Sequence, residues 1–158
     1  MINKIIISIM FGFFMSGCIS AIQNQVNMQN KTLKNDQMPI RLYKVKSTKK
    51  ADFYESNWAG EKGRSITLNS QVVYNDVLKG IKQACGFEAN DLVETRIVSH
   101  ENPVFYEVWV FKDQLSKRED KTSALSVILT QVPNSGGVDI AIKGRCHSDR
   151  SKQYIFGK

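Results

Sequence analysis

The chain has 158 residues, 42 % of them hydrophobic and 23 % charged, with a formal net charge of +7. That length is one domain's worth, no internal repeat is present, and no apolar run reaches the roughly 20 residues of a membrane span. The cationic excess favours anionic partners: acidic lipid, lipopolysaccharide phosphates or an acidic protein.

In chain order, Met1 to Lys4 carries one positive charge, Ile5 to Met15 is a short apolar run (IIISIMFGFFM), and Ser16, Gly17 and Cys18 follow. A basic start, about ten apolar residues and a small-residue cleavage site make a secretory signal. Met15-Ser16-Gly17-Cys18 resembles the lipobox of bacterial lipoproteins, with Met15 where Leu is commoner. The resemblance implies that residues 1–17 are a signal peptide removed before Cys18, and that Cys18 carries diacylglycerol and a further acyl chain such as palmitate. Stable anchoring needs two lipid signals, and three chains exceed that requirement. Ile19 stands where an inner-membrane retention signal would place Asp, which points to the outer membrane with the domain facing the periplasm. That location disfavours nucleic acid.

Residues 18–39 read as the lipidated cysteine followed by a flexible tether, because eight of residues 19–39 are Asn or Gln and apolar periodicity is low. Fully stretched, such a tether would reach about 70 Å. Pro39 marks the edge of a single domain spanning 40–158.

Within that domain Ile40–Ser47 reads as a strand, 48–63 as an irregular polar loop containing Trp58, and Ser65–Leu68 as a short strand. A helix is expected over Gln71–Cys85, capped by Asn69 or Ser70 and stopped by Gly86, with Val73, Val77, Ile81 and Cys85 on one stripe. Gly80 lies inside it, which suits either close approach to a sheet or an exposed position. Strands follow at Leu92–Ser99, Val104–Phe111, Ser123–Val132 and Val138–Lys143, with turns at His100–Pro103 and Pro133–Gly137. Val104–Phe111 is almost wholly apolar and suits a central strand, while Tyr154–Phe156 suits an edge strand or a docked tail. The fold expected is α+β: one main helix packed on an antiparallel sheet of about four to six strands.

With Cys18 lipidated, Cys85 and Cys146 remain as an even pair in an oxidising compartment, so a disulfide is expected between them. Cys85 lies on the helical stripe, and Cys146 shares the parity of Val138, Ile140 and Ile142 provided the strand continues to it without a bulge, in which case both thiols face the helix–sheet seam. No zinc spacing, nucleophile elbow or phosphate loop is present. His100, His147 and the pair Glu94/Glu107 are weak starts for chemistry; no cofactor or metal is expected and the chain reads as a non-enzyme. The function expected is a protein-binding module, an accessory of an envelope assembly or secretion system, whose partner is an envelope protein or a secreted effector. The alternatives are an immunity lipoprotein that neutralises a toxic effector and, behind it, a cell-wall or lipid hydrolase. Lys49, Lys50, Trp58 and Lys62 in the loop are the expected contact residues.

Overall fold

The computed structural model describes residues 21–158. The expected signal peptide 1–17 and Cys18 lie outside them. Two antiparallel sheets organise the chain. The larger has the order β3-β4-β5-β6-β7, built from Glu61–Lys62, Leu92–Glu101, Val104–Lys112, Thr122–Gln131 and Val138–Gly144. The smaller is β1-β2-β8, from Ile40–Ser47, Ala51–Trp58 and Gln153–Gly157. Helix α1 runs through residues 21–35 and α2 spans Gln71–Cys85.

The α+β expectation holds. Ser70 Oγ accepts a hydrogen bond from the Val73 amide to start α2, and Gly86, at φ +77°, ends it in the left-handed conformation that glycine adopts without penalty. Val77 and Ile81 are wholly buried against Trp109, Phe111, Leu125 and Val127 of the large sheet. Gly80 is a close approach: a Cβ there would sit 2.9 Å from Ile142 Cδ1 on β7. The Cys85–Cys146 disulfide ties the end of α2 to the chain just beyond β7, across 61 residues. β5 is central and covered on both faces, with Glu107, Trp109 and Phe111 turned to α2, and Tyr106, Val108 and Val110 to a second cluster around Trp58.

Three expectations are corrected. Residues 48–63 are not irregular, since they carry β2 and β3. The alternation of β2 escapes notice because its inward face is Asp52, Tyr54, Ser56 and Trp58, half of it polar. Ser65–Leu68 is no strand: Ser65 Oγ accepts from the Thr67 amide and caps a 3-10 turn over Ile66–Asn69. His100 and Glu101 belong to β4, leaving Asn102-Pro103 as the turn.

The tether is corrected most. From residue 21 onward it is the docked helix α1. Ile22, Val26, Asn30 and Leu33 form one helical stripe, with Val26 only 2 % exposed against Leu42 and Tyr54. The Asn30 side chain donates to the Leu42 carbonyl at 2.9 Å and accepts from the Leu42 amide at 2.7 Å, pairing the free edge of β1 as a neighbouring strand would. Tyr54 Oη donates to Gln23 Oε1 at 3.1 Å. Two of the amides that suggested a solvated linker, Gln23 and Asn30, are here docking groups.

Candidate functional site

The expected contact residues do not form one surface. Lys49 and Lys50 are exposed in the β1–β2 turn. Lys62 stands on β3, in the other sheet, ion-paired to Glu94. Trp58 is not a loop residue at all but the end of β2, 4 % exposed in a cluster with Ala59, Tyr106 and Ala124. Its ring lies 4.2 Å from the Arg118 guanidinium, and its Nε1 donates to Thr122 Oγ1 at 3.3 Å. Trp58 is core.

The docked helix creates a site instead. Between α1, the smaller sheet and the chain after β7 opens a cleft of about 280 Å³. Leu33, Ile40, Trp58 and Ala124 contribute to its apolar floor, and Arg145, Arg150 and Lys152 to a cationic mouth. The fourth lining cation, Arg118, is spent: it donates to Asp120 at 3.1 Å and to Ser151 Oγ at 2.7 Å while stacking on Trp58. Asp149, the one carboxylate of the lining, is held by Lys117 at 3.2 Å and Arg145 at 2.7 Å. These cations, Lys117 first, keep its carboxyl below the ordinary range. Among the described residues Arg150 and Lys152 make no ion pair, although the Lys152 charge also acts on Asp149, so the mouth carries an excess of positive charge above an apolar floor. A wider depression of about 780 Å³ alongside is walled by Glu55, Glu119 and Asp120 as well as by Lys117, Lys121 and Arg150, and its mixed charge selects no ligand sign.

Two polar clusters deserve comparison with catalytic arrangements. Glu107, with no exposure, receives Ser65 Oγ, the Ile66 amide at 2.6 Å, Thr67 Oγ1 at 3.2 Å, Trp109 Nε1 at 3.0 Å and the His100 ring at 3.1 Å. A carboxylate so fully bonded is the anchor of the 3-10 turn on β5. Glu94 pairs with Val110 across the ladder and lies on the opposite face, with Lys62 and Arg96, so the two carboxylates do not converge.

The second cluster joins Asp113, Ser123 and His147. Ser123 Oγ donates to Asp113 Oδ2 at 2.6 Å and accepts from the Ser148 amide at 2.7 Å, while the His147 ring lies 3.1 Å from the same carboxylate. A nucleophilic serine must hydrogen-bond to the histidine; here it bonds to the carboxylate and is completely buried. Burial resists ionisation of Asp113, but hydrogen bonds from Ser123, His147 and the Leu115 amide outweigh it and hold the carboxyl below its usual range. The cluster clamps the Cys146–Ser148 segment onto the large sheet. Among the described residues no group of three or more His, Cys, Asp or Glu is placed to hold a metal ion.

Arg145, Arg150, Lys152 and Leu33 are among the cleft residues that sequence reasoning missed. The signal available was the run Arg145-Cys146-His147-Ser148-Asp149-Arg150-Ser151-Lys152, basic and pinned by the disulfide. Comparison with known proteins adds no relative: no family model, curated protein or solved structure matches the chain.

Proposed function

We propose that the protein is a lipid-anchored module of the bacterial envelope, held at the outer membrane through Cys18 with its domain in the periplasm, and that it acts by binding a protein partner rather than by catalysis. The α1 cleft carries this reading. An apolar floor below two unpaired cations suits a partner segment that presents a large apolar side chain beside a carboxylate, an arrangement typical of protein-binding pockets. The polar clusters support it too, because Glu107 and Asp113 use their hydrogen bonds internally to hold the scaffold. The anchor is supported by the Ser16-Gly17-Cys18 boundary and by the Cys85–Cys146 pairing, which suits an oxidising compartment. A place as an accessory of an assembly or secretion system follows from the address.

The test places a photocrosslinking residue at Leu33 in intact cells. A discrete adduct is expected, lost when Arg150→Glu and Lys152→Glu reverse the mouth. An adduct indifferent to that reversal, or none, would remove the cleft from the reading. Palmitate labelling checks the anchor separately, and should disappear in Cys18→Ser.

A further inference from the structure

The direction of α1 fixes which end of the domain meets the membrane. Gln23, near the start of the described helix, bonds to Tyr54, whereas Asn30 bonds to Leu42, opposite Ser56, and Leu33 reaches the cleft beside Trp58. The helix therefore runs along β2 from its beginning toward its end. Chain connectivity agrees. The helix ends at residue 35, close to the start of β1 at Ile40, and β1 then runs back toward Ser47. Fifteen helical residues rise about 22 Å, close to the length of eight strand residues, about 26 Å. The described start of α1 therefore lies toward the β1–β2 turn end of the smaller sheet.

That end of the smaller sheet gathers five lysines. Lys44 and Lys46 lie on β1, Lys49 and Lys50 form the turn, and Lys158 follows β8 with its amide bonded to the Lys50 carbonyl at 2.8 Å. Asp52 is the carboxylate among them. It is buried and engaged by Lys44 at 3.0 Å and by Lys158 at 3.1 Å. Among the described residues Lys46, Lys49 and Lys50 have no carboxylate partner, and residues 21–30 of α1 carry no charge. Three residue-to-residue steps, at most about 11 Å, separate Cys18 from residue 21.

We infer that the β1–β2 turn, with Lys46, Lys49 and Lys50, is a docking surface for anionic phospholipid headgroups, pressed onto the bilayer that holds the Cys18 lipid. The inference rests on the anchor reading above for its orientation. A lysine within a Debye length of an anionic surface, about 8 Å at physiological ionic strength, strengthens association about fivefold. A docked α1 leaves too little chain to carry these lysines far beyond that range. The cleft mouth, at the opposite end of α1, then faces away from the membrane and toward incoming partners.

The experiment acylates lysines of the mature full-length protein, mixed into vesicles containing anionic phospholipid or only zwitterionic phospholipid, and reads each site by mass spectrometry. Acylation of Lys49 and Lys50 should fall at least fivefold on the anionic vesicles alone, and recover in high salt, while Lys79 on α2 and Lys143 on β7 stay reactive. In the Lys49→Glu, Lys50→Glu protein, whose changed side chains are exposed, Lys46 should lose its protection. Equal acylation on both vesicle types overturns the docking surface, as does protection of Lys79 and Lys143 to the same degree. The N-terminal peptide in the same samples reports the Cys18 lipid independently. Protected turn lysines without that lipid would uphold the surface and remove the anchor; lipid without protection would do the reverse.

Discussion

The two sheets of this protein are held by different physics. The large sheet with α2 buries Trp109, Phe111, Val77, Ile81 and Val127 without remaining exposure, and a disulfide closes it. Away from the Trp58 cluster, the small sheet buries only Val26, Leu42 and Tyr54 under α1, and side-chain amides supply the rest of that contact. Trp58 and Ala59 carry the small sheet into a second core with Val108 and Val110 of the large one, whereas α1 is held on the small sheet by one buried valine and hydrogen bonds worth about 1 kcal/mol each. The cleft lies where α1 meets the small sheet, so its shape depends on α1 staying docked.

If the contrast is right, damage to the large sheet should be global. Trp109→Ala should cost the most, about 3–5 kcal/mol. It removes a fully buried ring packed 5.8 Å from Tyr74 and takes away a donor from the buried Glu107 carboxylate. Denaturant unfolding should show one transition moved to lower midpoint for probes in both sheets. Two separate transitions would mean that the halves fold independently. Replacing Cys85 and Cys146 together by Ala should cost about 2–4 kcal/mol, again over the whole domain, since the closed loop spans 61 residues.

A smaller effect follows from Asp113. Its carboxyl is depressed in the folded state, so its stabilisation is fully present above the unfolded value near pH 4 and is lost as pH falls through the folded one. Asp113→Asn should therefore lower stability at neutral pH by about 1–3 kcal/mol, and the gap to the wild type should close below pH 4. Urea titrations between pH 3 and pH 7 measure it. A gap that persists unchanged at pH 3 would show that packing, not the ionised carboxylate, is what the substitution removes.

The same contrast decides what was legible in the sequence. In the large sheet, apolar period and core face coincide: Val77 and Ile81 lie on the predicted stripe, and the apolar run of β5 is covered on both faces. The cysteine pairing was expected from the even count and is present, although β7 ends at Gly144, short of Cys146, so strand parity was not what placed that thiol. The small sheet hides its inward face behind Asp52 and Ser56, so β2 looked like loop and Trp58 looked like a contact residue. In α1 the stripe of Ile22, Val26, Asn30 and Leu33 is interrupted by an amide and surrounded by others, and composition overrode its spacing. The cleft needed both unread elements at once. Its cations were visible, but their common mouth depends on where α1 lands.

The most delicate test lies in α1 itself. Val26 is its one fully buried described residue, and Asn30 supplies the two bonds to Leu42. Val26→Ala removes two methyl groups from a site that can partly collapse, and Asn30→Ala leaves the Leu42 amide and carbonyl to water. Each should weaken docking by about 1–2 kcal/mol. Because α1 covers the small sheet and not the α2 core, that loss should appear as local opening. Hydrogen exchange across residues 21–35 should accelerate roughly five- to thirtyfold, while amides of β5 and β6 keep their rates and the global midpoint hardly moves. The crosslink from Leu33 should weaken in the same variants, since the helix forms one wall of the cleft. Faster exchange in β5 and β6 to the same degree would show that α1 belongs to the cooperative core, and the division between the two halves would fail.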